Sequence, residues 1–138
     1  MPGSAASTRA LERVRRLCLA LPETREALAW GHPVFKAGAK TFAAIEPVKG
    51  RPSIAFRLPP LDVDMLLTRT PFFVTPYGRG LWVSAWADGA LDWPLIGRLV
   101  ERSYRVVALR RMLTILDDGT TPARPTERAA SKRARRPR

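Results

Sequence analysis

The chain holds one cysteine, Cys18, and one histidine, His32, among its 138 residues. A lone cysteine excludes an intramolecular disulfide, and one Cys with one His falls short of the four ligands of a structural zinc site. Acids are scarce, with 12 Asp+Glu against 24 Lys+Arg, and no acidic cluster exists beyond Asp117-Asp118. No stretch approaches the roughly 20 apolar residues that span a bilayer. The start, "MPGSAASTRALERVRR", lacks an apolar run of signal-peptide length. A reducing, cytoplasmic setting without membrane attachment is the expectation. Glycine-rich phosphate loops and paired carboxylates are missing too. His32, between Gly31 and Pro33, has no Ser or Cys plus acid arrangement that would make it a general base. The expectation is a protein that is not an enzyme and uses no cofactor or metal.

What is present suffices for one folded core. Hydrophobic residues make up 46%, with four tryptophans and five phenylalanines as large units to bury. The formal charge is +12, and its placement is uneven. Between Pro122 and Arg138 stand seven basic residues and one acid, so this tail carries +6, half of the excess. The tail is rich in Pro, Ala and Arg and has no apolar face, so residues 119–138, with Arg133, Arg135 and Arg136, are expected to be disordered. A flexible start over 1–7 and a folded domain over 8–118 complete the division.

Periodicity places the elements. Ser7 or Thr8 caps a first helix whose apolar positions are Leu11, Val14, Leu17, Cys18 and Leu21, ended by Pro22. Its other face carries Arg9, Arg13 and Arg16. "HPVFKAGAKTFAAIEP" divides at Gly38-Ala39, a two-residue type II′ hairpin loop that pairs Ala37 with Lys40, Lys36 with Thr41 and Phe35 with Phe42. "PVKGRP" turns into "SIAFRL", where Ile54, Phe56 and Leu58 alternate with Ser53, Ala55 and Arg57. A short helix follows from Leu61 to about Thr68, then an extended Phe72 to Thr75, the turn "YGRG", and a strand in which Trp82, Ser84 and Trp86 share a face. The tryptophans Trp30, Trp82, Trp86 and Trp93 are expected to pack in the interior. Asp92 caps a last helix running to near Leu113, with Leu91 and Ile96 as a hydrophobic staple. The order gives an α+β fold: an antiparallel β-sheet meander packed by N- and C-terminal helices and one short middle helix.

Several segments in order carry a family likeness. Leu-Pro ends the first helix. Trp30-Gly31-His32-Pro33-Val34-Phe35-Lys36 leads through a Gly turn to Lys40 and Phe42, and then come Tyr77, Gly80-Leu81-Trp82-Val83 and a helix with Ser103-Tyr104. Over roughly residues 9–110 the chain resembles the MmcQ/YjbR family. The resemblance implies a compact CyaY-like fold, akin to type III secretion chaperones, with a "double wing" of hairpins as a DNA-contacting surface. The iron binding of frataxin-like relatives depends on an acidic ridge that this chain lacks.

Two functional classes remain. The first is a DNA-binding protein that contacts phosphates with little sequence preference, through Lys36, Lys40, Lys49, Arg51 and Arg79 at the turns and Arg133, Arg135 and Arg136 in the tail. No helix-turn-helix, zinc-finger or RRM signature supports base readout. The second is a non-enzymatic protein- or peptide-binding adaptor, for which "PPLDVDMLL" and "PFFV" are suitably apolar. Nucleic acid or a protein is thus the expected partner.

Overall fold

The computed structural model describes residues 5–118. Helix α1 (Ala5–Leu19) leads into β1 (Thr24–Ala29), β2 (His32–Ala37), β3 (Lys40–Val48) and β4 (Arg51–Arg57). Helix α2 (Pro60–Leu66), strands β5 (Phe72–Val74) and β6 (Trp82–Trp86), and helices α3 (Trp93–Val107) and α4 (Arg110–Asp117) complete the described residues. The strands form a six-stranded antiparallel sheet in the order β1-β2-β3-β4-β6-β5. The α+β meander expected from the sequence is therefore present.

Alternation along the strands sorts side chains onto two faces. One face carries Phe35, Phe42, Ile45, Ile54, Phe56 and Val83, all buried. Against it lie Val14 and Cys18 of α1 and Ile96, Leu99, Val100 and Tyr104 of α3, also buried. Each such aliphatic or aromatic side chain removed from water contributes about 1.5–3 kcal/mol, which makes this layer the main source of stability. Tyr104 anchors it. Its ring meets Phe42 edge-on at 5.7 Å between centroids, and its hydroxyl donates to the Pro22 carbonyl at 2.7 Å. Helix α1 is fastened to β1 by Arg15, which pairs with Glu26 at 2.8 Å, and α2 is tied to α3 by the Asp62–Arg102 ion pair.

The opposite face is built from small residues. Val34, Ala44 and Ala55 are buried there, with Ala27, Ala29 and Trp82 packed against them. The β5–β6 connection crosses this face. Tyr77 donates to Glu46 on β3 at 2.7 Å, its ring lies 6.0 Å from that of Trp82, and Thr75 and Ser84 share a buried hydroxyl contact of 2.8 Å. Gly78 makes the crossing possible: at its φ of +91° a Cβ would stand 2.4 Å from Cδ1 of Trp82.

Five expectations need correction. Helix α1 begins at Ala5 and runs through Ser7 and Thr8, so neither caps it. Thr24–Ala29, to which the sequence pattern assigns no element, is edge strand β1, joined to β2 by Trp30-Gly31 with both φ positive (55° and 80°), a type I′ turn. Phe35 opposes Ala43 rather than Phe42, because a β-bulge falls between Phe35 and Lys36; the extra residue turns the Phe42 ring to Tyr104 on the helix-covered face. Trp30 is 96% exposed, while Trp82, Trp86 and Trp93 are half-buried; Trp30 sits at a turn apex with no element above it. The last helix is two helices. Ala108 and Leu109 are extended (ψ 148° and 157°), a backbone conformation that interrupts the helical hydrogen-bond ladder. The chain divides into two compact units at this break, between Ala108 and Leu109. In the second unit α4 starts on the Leu109 carbonyl, which accepts from the N–H groups of Met112 and Leu113 at 2.9 and 3.1 Å.

Other expectations agree. Ala37 opposes Lys40 and Lys36 opposes Thr41, with Gly38 at φ +62° as a type II′ turn requires. Asp92 caps α3, its carboxylate accepting from the Leu95 N–H at 3.2 Å.

Candidate functional site

The antiparallel register fixes where each turn cation stands. The Gly38-Ala39 turn lies at one end of the sheet, and the Trp30-Gly31 and Lys49-Gly50 turns lie at the other. Nine-residue β3 separates them, roughly 30 Å at 3.3 Å per residue. Lys36 and Lys40 therefore share one end, while Lys49 and Arg51 occupy the far end. Arg79 returns to the Lys36 end, since Trp82 pairs with Arg57 at the finish of β4. Arg133, Arg135 and Arg136 lie outside the described residues.

Arg51 is engaged locally. Its guanidinium lies 3.9 Å over the Trp86 ring and forms two hydrogen bonds to Asp88, at 2.8 and 3.1 Å. Phe73 stacks on Trp86 at 3.9 Å with 16° between planes. The hydrogen bonds from Arg51 hold the Asp88 carboxyl below its ordinary value.

At the Gly38 end the register adds two cations to those expected from the sequence. Arg25 on β1 is the direct cross-strand partner of Lys36 on β2. Arg57, at the end of β4, points to the same small-residue face, and its guanidinium donates to the Leu58 carbonyl at 3.1 Å. Among the described residues none of Arg25, Lys36 and Arg57 has an ion pair. Like charges directly opposite on a sheet oppose folding by tenths of a kcal/mol. The row Arg25, Lys36, Thr41, Arg57 is thus a line of positive charge across four strands, and exposed Lys40 stands at the same end of the sheet with its side chain on the other face. The alternation in "SIAFRL" already turns Arg57 away from the apolar face. Arg25 has no such signal, because strand β1 is not evident in the sequence.

A cleft of about 380 Å³ opens at the other end, between α1 and the strands, lined by Leu11, Pro33, Ile45, Pro47 and Pro52 with His32 at its edge. Its walls are mostly apolar, with Thr8, Glu12, Arg15 and Glu46 also lining it. Cys18 is buried elsewhere, and burial pushes its thiol up to about 12, leaving it unreactive. Among the described residues there is no group of three or more His, Cys, Asp or Glu that could hold a metal ion, and no helix is long and apolar enough to cross a membrane.

Two solved structures share the fold. A Deinococcus radiodurans protein with a DUF419 domain matches with a TM-score of 0.60 and 21% identity, over 82% of this chain and 83% of its own. A Pseudomonas syringae protein matches with a TM-score of 0.55 and 17% identity, over 62% of this chain and 87% of its own. No curated protein matches the chain. The YjbR family model matches residues 19–106, from the end of α1 through nearly all of α3, and so takes in the whole sheet and the cation row. The chain belongs to the YjbR family.

Proposed function

We propose that this chain is a non-enzymatic nucleic-acid-binding protein of the cytoplasm that holds the phosphate backbone electrostatically, with DNA as the expected partner. The observation that carries the reading is the row of Arg25, Lys36 and Arg57 on β1, β2 and β4, in which Arg25 stands directly opposite Lys36 and none of the three has an ion pair among the described residues. Phosphates spaced along a strand would relieve that repulsion and release their counterions. Lys40 and Arg79 extend the contact. The tail arginines Arg133, Arg135 and Arg136 add affinity without sequence preference. Lys49 and Arg51, at the far end, lie outside this contact.

The test is binding of a short duplex by fluorescence anisotropy at several salt concentrations. Each phosphate contact contributes about 0.9 to the slope of log K against log salt, so the triple variant Arg25→Gln/Lys36→Gln/Arg57→Gln loses about 2.7. Between 50 and 200 mM salt that is roughly a 40-fold difference in how affinity falls. Lys49→Gln leaves the slope unchanged, and a chain ending at Gly119 retains the part that depends on the row. An unchanged slope in the triple variant overturns the reading.

An adaptor role has one observation in its favour. Leu61 and Met65, one turn apart on α2, are 70% and 63% exposed, an apolar stripe of the kind that docks on a partner protein. Retention of a partner by the wild-type chain and its loss with Leu61→Ser/Met65→Ser would support this role.

A further inference from the structure

The sheet has two edges, which among the described residues differ in length and in proline. Strand β5 has three residues and is bracketed by Pro71 and Pro76, devices that discourage further pairing. Strand β1 has six residues in unbroken register with β2, contains no proline, and carries Leu28, which is 72% exposed, with Trp30, 96% exposed, just beyond it. Ala29 and His32 close the two-residue turn as a hydrogen-bonded pair. Leu28 then faces Pro33, which has no N–H to offer, and its own N–H and C=O point outward. By the same alternation, the outward groups of β1 belong to Thr24, Glu26 and Leu28.

We infer that β1 is a self-association edge, pairing antiparallel with β1 of a second copy about a two-fold axis through Ala27, so that the two sheets join into one. The charge pattern selects this occupant and this register. A two-fold axis perpendicular to the sheet keeps each face continuous, so a residue can oppose only residues of its own face. Every register centred on a residue satisfies that condition, so charge and the number of residues paired decide among them; centring on Arg25 sets two guanidinium groups opposite each other, which is repulsive. Centring on Glu26 sets two carboxylates opposite each other, which is repulsive. Centring on Leu28 leaves Thr24 and Arg25 unpaired. Centring on Ala27 pairs the whole of Thr24–Trp30: Glu26 meets Leu28 of the other copy with their outward N–H and C=O groups exchanged, Arg25 meets Ala29, and Thr24 meets Trp30. No like charges oppose one another.

Ala27 would face Ala27 of the second copy at a non-hydrogen-bonded position, where Cα atoms stand about 4.5 Å apart. That spacing accepts a disulfide. The experiment uses the full chain with Ala27→Cys or Leu28→Cys under mild oxidation, together with sedimentation of the wild type, Leu28→Glu and Leu28→Lys. Cys18 is buried and does not compete. A wild-type dimer is expected, with cross-linking by Ala27→Cys and little by Leu28→Cys. Leu28→Glu places a carboxylate against Glu26 twice per dimer and should weaken association about tenfold, whereas Leu28→Lys keeps the dimer. Leu28 is exposed, and at half-buried Ala27 the change to Cys adds a single sulfur atom, so these variants fold. A wild type that stays monomeric at high micromolar concentration, or cross-linking without preference for Ala27, overturns the inference.

Discussion

Removing one oxygen atom from Tyr104 tests the assignment of this residue as the anchor between the sheet, α3 and the end of α1. In Tyr104→Phe the ring keeps its edge contact with Phe42, at 5.7 Å in the wild type, so the packing term is unchanged. The hydrogen bond from the hydroxyl to the Pro22 carbonyl, 2.7 Å long and part-buried, is lost. A buried carbonyl left without its donor costs about 1–2 kcal/mol. For a domain of this size that is a fall in Tm of roughly 4–12 °C, and in urea a lower midpoint at constant m. Tyr104→Leu removes the ring contact as well and should cost about 2 kcal/mol more. Circular dichroism with urea titration measures both variants. A Tyr104→Phe midpoint within error of the wild type would refute the reasoning, since water at Pro22 would then serve as well as the hydroxyl. So would equal losses for the two variants, which would make the ring contact worthless.

Two further outcomes follow from features of the core and the crossing loop. The Cys18 thiol is pushed up to about 12 from 9.0 by burial, so the folded state keeps it protonated while the unfolded chain ionises it from pH 9 upward. Its contribution is intact below pH 9 and is lost as pH rises: about 1.4 kcal/mol by pH 10. Urea midpoints from pH 7 to 10 should fall for the wild type and stay flatter for Cys18→Ala. Gly78→Ala meets Trp82 as well as carrying an unfavourable φ of +91°, whereas Gly80→Ala, at φ +82°, has nothing within 4 Å. The first should cost about 2 kcal/mol and shift the tryptophan emission, and the second about 1 kcal/mol with no shift, both read by fluorescence-monitored unfolding.

Local chemistry made much of the fold legible. Gly38-Ala39 specifies its turn because glycine accepts the positive φ at the first loop position, and Asp92 marks the start of α3 because its carboxylate reaches an amide that has no partner inside the helix. Strand β1 was hidden by its residues. Glu, Ala and Leu favour helix, and the alanines at 27 and 29 have too little apolar surface to reveal an alternation. The bulge was hidden for another reason: what selects it is the Tyr104 ring, 62 residues beyond Phe42, and no local pattern carries that distance. The candidate site divided in the same way. Lys36, Lys40 and Arg79 do share an end of the sheet, but Lys49 and Arg51 resemble them only in standing at a turn. Which end a turn occupies depends on the number of strands before it, so losing β1 from view also lost Arg25.

The bulge also sets a length rule for β3. In a regular strand, residues three apart point to opposite faces, yet Phe42 and Ile45 both lie on the helix-covered face because one extra residue has been absorbed between them. The strand therefore counts residues as well as reading their type. Ala43 can exchange with other small residues at little cost, but its deletion would turn either Phe42 or Ile45 out to the small-residue face. Within this family, length variation should therefore collect at the turns, and β3 should keep its residue count even where its letters change.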